Sequence, residues 1–300
     1  MTGLTALVLG SGAGGGFPQW NCGCRQCELV RAGAAGLRPA TQASIAVSAD
    51  GSHWIIVGAS PDLRQQINQT PRLWPQGPGR NSPVTGVLVL GADVDAIAGL
   101  LVLRERHPLT VYAPDSVLAV LAANAIFGVL DPALVQRVKV APYDPVLCAA
   151  GLRLTLLPMP GKVPLYQESH GAAEAEPGPN FAALVEANGR CMIVAPACAE
   201  ITEPVRAHLA KADAVFFDGT MFTDDEMITA GLGAKTSRRM GHVPLSGPDG
   251  TLSRLGSLPG RRILLHINNS NPILMPGSPE RLRVEAAGFE VAHDGMEVTL

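Results

Sequence analysis

The chain has 300 residues, of which 47% are hydrophobic and 16% are charged, and its formal net charge is -3. The hydrophobic content is sufficient for a large buried core, and the length suits one α/β domain or two small ones. Because charge of neither sign predominates, the composition argues against nucleic acid or an anionic membrane surface as a partner.

The N-terminal segment, residues 1–16, contains only a short apolar run, with no basic residues before it and no small-residue cleavage site. It is therefore expected to form a first strand rather than an export signal. No other stretch has the roughly 18 uninterrupted apolar residues that are needed to span a bilayer. We therefore predict a cytoplasmic protein with no membrane partner.

Short apolar runs recur along the chain, and helical stretches separate several of them. The predicted strands lie at residues 5–11, 42–49, 53–60, 84–91, 109–114, 152–160, 180–187, 191–196, 214–219 and 262–267, and the predicted helices at 95–105, 115–130 and 201–212. Many strands are apolar throughout, which is typical of sheets covered on both faces. We predict an α/β fold of two facing sheets with helices outside, an αββα four-layer sandwich, in one domain over residues 1–300. The stretches 70–83 and 167–180 exceed ordinary loop length and are predicted to be surface or active-site loops.

The glycine run after the first strand places Gly10, Gly12 and Gly15 at the spacing of a dinucleotide-binding loop. The following residues, 17–27, contain a proline, aromatic residues and clustered cysteines instead of a helix whose N–H groups would meet a pyrophosphate. The acidic residue expected about 20 positions later is also missing. The run therefore predicts a tight turn that brings backbone close to a site.

Three cysteines, Cys22, Cys24 and Cys27, follow this turn within six positions. One loop with this spacing can place three thiolates around a tetrahedral zinc ion at about 2.3 Å. A closed structural site needs a fourth ligand from elsewhere in the chain, which the sequence does not identify, whereas an open fourth place would indicate catalysis. The alternative is three free thiols, which oxidise readily when clustered.

Residues 84–105 have the pattern of a strand, a short polar turn and a helix. This resembles the layout on which enzymes of the metallo-β-lactamase fold carry an HxHxDH motif. Gly91, Asp93 and Ala96 stand where the three histidines would be, and Asp95 stands on the motif aspartate. Alternate positions of an extended segment place the side chains of Asp93 and Asp95 on one face. Either aspartate could instead cap a helix that begins near Ile97.

Later segments supply further residues in the order that this fold uses them. Lys162 occupies the place of the third-motif histidine, Asp218 matches the bridging aspartate, and His266 matches the final histidine. The predicted metal ligands are Asp93, Asp95, Asp218 and His266. Three carboxylates and one imidazole suit iron(II), manganese or magnesium better than an ordinary dizinc centre, although zinc remains an alternative.

A polar, glycine-bearing loop contains Arg238, Arg239 and His242. The two arginines are predicted to bind carboxylates of a substrate, because a guanidinium pairs with a carboxylate through two hydrogen bonds. Lys162 and His242 are predicted to be catalytic residues of the same pocket.

Seven stretches together are more specific than any one of them: residues 9–27, 38–51, 59–67, 160–166, 216–227, 235–242 and 264–274. They resemble the family of pyrroloquinoline quinone synthesis protein B, over nearly the whole chain. The resemblance implies a metallo-β-lactamase fold, a structural zinc on the three cysteines and a homodimer. Family members usually have an aspartate-histidine pair where this chain has Asp95 and Ala96, so one expected metal ligand is absent.

The resemblance also implies a role in cofactor synthesis. The leading hypothesis is an iron- and oxygen-dependent hydroxylation of the tyrosine ring in a dipeptide-like precursor derived from glutamate and tyrosine. The alternative is a non-enzymatic carrier or export factor for the cofactor or its precursor. An ordinary hydrolase is disfavoured, because the histidines that hold a dizinc hydroxide are missing.

Overall fold

Two seven-stranded sheets form the centre of the molecule in the computed structural model, which describes residues 3–148, 151–169 and 178–300. The first sheet contains β1 (Thr5–Gly10), β2 (Ser44–Ser48), β3 (Trp54–Val57), β4 (Val84–Leu88), β5 (Leu109–Ala113), β6 (Val135–Lys139) and β14 (Glu297–Thr299). The second contains β7 (Val146–Leu147), β8 (Arg153–Met159), β9 (Asn180–Ala187), β10 (Arg190–Ala195), β11 (Ala214–Asp218), β12 (Arg261–Leu265) and β13 (Glu290–Val291). The strand orders are β14-β1-β2-β3-β4-β5-β6 and β13-β12-β11-β10-β9-β8-β7.

Each sheet is antiparallel on one side and parallel on the other. In the first sheet, β14, β1, β2 and β3 pair antiparallel, and β3 to β6 pair parallel. In the second, β7 to β10 pair antiparallel, and β10 to β13 pair parallel. The parallel strands are linked through helices, and their carboxyl ends are where open α/β sheets bind ligands.

The helices cover the outer faces of the two sheets. They are α1 (Arg25–Arg31), α2 (Leu63–Gln69), α3 (Val94–Ile97), α4 (Asp115–Ala123), α5 (Glu203–Leu209), α6 (Glu226–Thr229), α7 (Thr251–Leu255) and α8 (Pro279–Ala286). Two of them begin with recognisable sequence signals, since the hydroxyls of Thr202 and Ser278 cap α5 and α8 and a proline lies in each first turn. Among the described residues no helix is both long and apolar enough to cross a membrane.

Three buried clusters correspond to the three interfaces between the four layers. The central cluster joins both sheets and contains Val8 and Ile45 from the first and Phe216 and Ile263 from the second. A second cluster packs the helices α5, α7 and α8 on the second sheet, and a third packs α2 and α4 on the first. Strands such as Trp54–Val57 are buried along their whole length because both faces are covered. The predicted αββα four-layer sandwich is confirmed.

The two long irregular stretches differ in how much of them is described. Residues 70–83 form a short 3-10 turn at Pro71–Leu73 and then a largely exposed loop. In the stretch 167–180, residues 170–177 lie outside the described residues, so the prediction for that part is untested. A 3-10 turn, Leu165–Gln167, lies where this stretch begins, beside the cavity described below.

Candidate active site and metal centres

A cavity of about 610 Å³ opens where the carboxyl ends of parallel strands from both sheets meet. Its polar end is formed by residues that follow strands or lie in the loops beside them: Asp93, Asp95, Lys162, His242 and His266. Its apolar wall includes one side of α4, through Val117, Ala119, Val120 and Ala123, together with residues of the strands and loops. The volume lies in the range that holds a drug-sized molecule, and an apolar pocket with a few convergent polar groups is the usual form of a ligand site.

Two imidazoles and one carboxylate converge at the polar end. The ligand atoms of Asp218, His242 and His266 lie within 4.8 Å of one another. Asp218 is the last residue of β11, His266 follows β12, and His242 lies in the loop after the 3-10 turn Arg238–Met240. This triad therefore joins two adjacent strand ends with a loop. His242 was predicted to be a catalytic residue, and its place in the triad makes it a candidate metal ligand as well.

Hydrogen bonds fix the orientation of the triad. His242 Nδ1 lies 2.8 Å from Asp218 Oδ2, which also accepts the backbone N–H of Cys198 at 2.9 Å. The other carboxylate oxygen, Asp218 Oδ1, accepts the backbone N–H of Thr220 at 3.0 Å and the Thr220 hydroxyl at 2.7 Å. Buried carboxylates at metal sites are normally held by such outer partners.

Thr220 is a residue of the candidate site that the sequence reasoning missed. Its hydroxyl oxygen lies 3.1 Å from His242 Nδ1 and 2.9 Å from His266 Nδ1, in addition to its contact with Asp218. The one available signal was its position two residues after the bridging aspartate, in the sequence Asp218-Gly219-Thr220. Thr220 thus touches all three members of the triad and sets their relative positions.

His266 has an unusual backbone that turns its side chain into the cavity. Its φ is +59°, in the left-handed region, which costs a non-glycine residue on the order of 1 kcal/mol and persists only where surrounding contacts hold it. The ring lies nearly parallel to that of His242, with centroids 5.2 Å apart, and its Nε2 lies 3.1 Å from Asp95 Oδ2. Burial alone would lower the pKa of His266, but the hydrogen bond and charge of Asp95 outweigh it, so the pKa of His266 is raised.

Asp93 and Asp95 both line the cavity, but they do not lie at alternate positions of one extended segment, as the sequence predicted. Helix α3 begins at Val94, so Asp93 is its N-cap residue and Asp95 lies in its first turn. The capping alternative was wrong about the helix start near Ile97, and the Asp93 side chain makes no capping hydrogen bond. Burial, together with the charge of Asp95, raises the pKa of Asp93. Ala96 also lines the cavity and offers no ligand atom.

Lys162 lies at the cavity edge within a cluster of cations around one carboxylate. Glu168 lies 3.2 Å from Lys162 Nζ, 3.1 Å from Arg239 and 3.4 Å from Lys235. The hydrogen bonds from Arg239, followed by those from Lys162 and Lys235, lower the pKa of Glu168 to about 2, although burial opposes them. The Tyr166 hydroxyl, two residues before Glu168, donates to the Ala92 carbonyl at 3.0 Å, which ties the same loop to the residue before Asp93.

The two arginines predicted to bind substrate carboxylates do not line this cavity. Arg239 pairs with Glu168 through two nitrogens, and its side chain is only 12% exposed. Arg238 lines a separate depression with Glu200, Asp249 and Arg254. The sequence places the two arginines side by side, but the 3-10 turn that carries them directs them to different partners. Of the predicted cationic residues, Lys162 is the one that faces the cavity.

Replacing Glu168 by glutamine is expected to lower the free energy of unfolding above pH 5 and to matter progressively less in acid. The folded-state pKa of about 2 lies below the ordinary value of 4.5, so the stabilisation is complete above 4.5 and is lost as pH falls through about 2. Urea unfolding of both proteins across this pH range checks the prediction. Glu186→Gln is a control, because its partner Arg153 is 53% exposed and such surface pairs contribute less than about 1 kcal/mol. A wild-type minus Glu168→Gln difference that grows in acid would contradict the assignment.

The three cysteines form a second cluster beside this site. Cys22 and Cys24 precede α1 and Cys27 lies in its first turn, with the three sulfur atoms within 4.8 Å of one another. Cys27 packs with Phe17, Val30 and Ala40 in a small apolar cluster. The donors are soft thiolates, which fit zinc, so the residues predicted to hold it are brought together.

The glycine run lies between the two clusters, as the predicted tight turn. Helix α1 begins only at Arg25, so no helix follows the run directly to meet a pyrophosphate. Ala13 N–H donates to the carbonyl of Ile267 at 2.9 Å, and Ile267 N–H donates to the carbonyl of Ser11 at 2.9 Å. A Cβ at Gly14 would lie 3.3 Å from Asp95 Oδ2. The turn therefore passes close to Asp95 in the cavity wall and holds the loop that follows His266.

Comparison with known proteins shows which protein family the chain is related to. A family model described as a beta-lactamase superfamily domain matches residues 53–267. Coenzyme PQQ synthesis protein B of Methylobacterium radiotolerans is 47% identical over 299 residues, which cover 99% of this chain and 100% of that protein. The protein of the same name from Gluconacetobacter diazotrophicus is 49% identical over 314 residues, covering 99% of each.

A solved structure agrees with these relatives in both sequence and fold. The crystal structure of Zn(2+)-bound PqqB from Methylobacterium extorquens is 45% identical, with a TM-score of 0.96, and the match covers 99% of this chain and 100% of that one. Identity and coverage of this extent, together with the two-sheet architecture, settle the relationship. The chain belongs to the coenzyme PQQ synthesis protein B family and has the metallo-β-lactamase fold.

Proposed function

We propose that this chain acts in the synthesis of pyrroloquinoline quinone by hydroxylating the tyrosine ring of a precursor derived from glutamate and tyrosine, using iron(II) and dioxygen. The family relationship supports the pathway. The observation that carries the chemistry is the triad of Asp218, His242 and His266, whose ligand atoms lie within 4.8 Å of one another. Two histidines and one carboxylate with open places are typical of non-haem iron oxygenases.

The residues that would hold iron are the three members of the triad, with Asp95 hydrogen-bonded to His266 at 3.1 Å and Asp93 on the same cavity wall. When bound there, ferrous iron supplies the oxygen chemistry, which no side chain of the site provides. Thr220 holds both imidazoles through their Nδ1 atoms, and Asp218 holds His242. These contacts fix the donor atoms before any ion arrives, which reduces the reorganisation that binding requires.

The apolar wall of the cavity and the lysine at its edge fit a small aromatic acid. The apolar wall of α4, including Val117 and Val120, offers a surface on which an aromatic ring can pack. Three cations, Lys162, Lys235 and Arg239, surround one carboxylate, Glu168, so this cluster has a net charge of 3 − 1 = +2. Lys162 is its member in the cavity wall and would hold a carboxylate of the substrate.

Three further parts of the proposal rest on the family relationship and on the cysteine cluster. The three thiolates would hold a structural zinc, and the protein would be a cytoplasmic homodimer. Sedimentation of the purified protein tests the dimer, and metal analysis tests the zinc. Neither measurement depends on the oxygen chemistry.

The test of the function is oxygen uptake by protein reconstituted with iron(II) in the absence of air. The crosslinked glutamate–tyrosine substrate and an external reductant are added, since reducing the second oxygen atom of dioxygen to water takes two electrons. We expect uptake that depends on both iron and substrate, and a product heavier by one oxygen atom. If iron and substrate are both bound but no oxygen is consumed, the hydroxylase proposal fails and the carrier function is favoured.

A further inference from the structure

The side chain of Asn269 meets the three sulfur atoms of the cysteine cluster, although it lies more than 240 positions later in the chain. Its amide nitrogen Nδ2 is 3.2 Å from Cys22 Sγ, 3.4 Å from Cys27 Sγ and 3.7 Å from Cys24 Sγ. The residue is buried, with only 4% of its surface exposed. One polar atom therefore lies close to all three sulfurs.

The three distances are those of the fourth corner of a tetrahedral zinc site. With zinc–sulfur bonds of about 2.3 Å and a zinc–oxygen bond of about 2.0 Å at tetrahedral angles, each sulfur would lie about 3.5 Å from the oxygen ligand. The observed distances of 3.2, 3.4 and 3.7 Å lie on both sides of that value. The nitrogen and oxygen of an asparagine amide have nearly the same shape, and a half-turn about the Cβ–Cγ bond brings Oδ1 to the same place.

Neighbouring contacts hold Asn269 in this position. Asn268 N–H donates to the Thr220 carbonyl at 3.1 Å, and the side chain of Asn271 donates to the Gly219 carbonyl at 2.9 Å, so the loop is fixed on both sides. The Gln26 amide, on α1 beside Cys27, donates to the Ser270 carbonyl at 2.8 Å. The helix that carries Cys27 and the loop that carries Asn269 are thus tied directly to each other.

We propose that Asn269 supplies the fourth ligand of the cysteine-bound zinc through its side-chain oxygen, which makes this a closed, structural site of three thiolates and one amide. The inference rests on the proposed zinc and is independent of the proposed hydroxylation. A closed site has no open place for a substrate, so its contribution is to folding rather than to chemistry.

A different role for the same contacts makes an opposite prediction. In the alternative, water is the fourth zinc ligand and Asn269 only donates its amide N–H groups to the thiolates. An aspartate at position 269 would then repel the thiolates and weaken zinc binding. If Asn269 is an oxygen ligand, aspartate keeps the donor atom and adds charge. Comparison of Asn269→Asp with Asn269→Ala therefore separates the two roles.

The experiment measures zinc affinity of the full chain by competition with a chromophoric chelator, and the absorption of the cobalt(II)-substituted protein. Bands from thiolate to cobalt report the cysteine cluster alone, because the other described metal-ligand cluster contains no cysteine. Asn21→Ala is the matched control, since Asn21 lies in the same loop but is exposed and bonds to Gln19.

We expect Asn269→Ala to weaken zinc binding by at least about tenfold and to change the ligand-field bands of cobalt, while Asn269→Asp and Asn21→Ala retain wild-type affinity. Wild-type affinity in Asn269→Ala would overturn the proposal, as would an Asn269→Asp protein that binds as weakly as Asn269→Ala. If Asn269→Ala does not fold, the affinity and spectrum of Asn269→Asp decide alone. Absence of thiolate bands in the wild-type protein would overturn both the ligand and the zinc assignment, without bearing on oxygen uptake.

Discussion

Replacing His242 by alanine is expected to remove ferrous iron from the active site while zinc stays bound at the cysteines. The triad of Asp218, His242 and His266 would lose one of its two imidazoles, and Ala96 leaves no histidine in the neighbouring wall to replace it. Loss of a residue that only hydrogen-bonds a metal ligand commonly lowers metal affinity by about 10- to 100-fold, so loss of a ligand itself should lower it by at least about 100-fold. Iron and zinc contents measured after anaerobic purification, together with substrate-dependent oxygen uptake, check the prediction.

His208→Ala is the control for this change. His208 lies on α5, away from the cavity, and the centroid of its ring lies 5.9 Å from that of Tyr143. Its loss should therefore leave both metals and the activity unchanged. If His242→Ala binds iron with wild-type affinity but has lost activity, His242 is not a ligand. It would then act in catalysis, as the sequence alone suggested, and the iron would have to be held by Asp93 or Asp95 with Asp218 and His266.

Thr220→Val is expected to lower iron affinity or activity by about 10- to 100-fold, whereas Thr220→Ser should retain most of both. Valine has nearly the same shape as threonine but lacks the hydroxyl, which lies 2.7 Å from Asp218 Oδ1, 3.1 Å from His242 Nδ1 and 2.9 Å from His266 Nδ1. Without it, buried nitrogen and oxygen atoms lose a hydrogen-bonding partner. Iron titration and steady-state oxygen uptake of the two variants provide the measurement.

The control for Thr220 is Thr85→Val, at the opposite end of a strand from the cavity. The Thr85 hydroxyl donates to the Trp54 carbonyl at 3.3 Å, so this variant also loses one hydroxyl contact but touches no metal ligand. Equal losses of activity in Thr85→Val and Thr220→Val would indicate a general effect on stability. The positioning role of Thr220 would then be wrong.

The fold was predictable because its determinants are local. Trp54–Val57 is apolar in every position and Ala214–Asp218 in every position but the last, and such runs bounded by turns indicate strands buried on both faces. Asp218 and His266 were predictable for the same reason. Asp218 ends β11 and His266 follows β12, and the carboxyl ends of adjacent parallel strands meet at one edge of a sheet.

The remaining site residues depend on contacts between distant parts of the chain, which no local pattern records. His242 reaches Asp218 from an irregular loop, 24 positions further along the chain. Arg239 was assigned to substrate because Glu168, 71 positions earlier, has no motif that marks it as its partner. The start of α3 was missed because Asp93 and Asp95 suit a turn and the first turn of a helix equally well. The contact of Asp95 with His266, 171 positions later, is what distinguishes the two, and no local pattern records it.

Three positions along one loop separate the imidazole of His266 from the amide that touches the cysteine sulfurs, and backbone N–H groups of the loop donate to the carbonyls of Ser11 and Thr220. A change at the thiols that displaced Asn269 would therefore reach the His266 ring through only three residues, and the backbone of His266 is already left-handed. Loss of an ion from the cysteines would then lower the activity of the cavity without any reagent entering it.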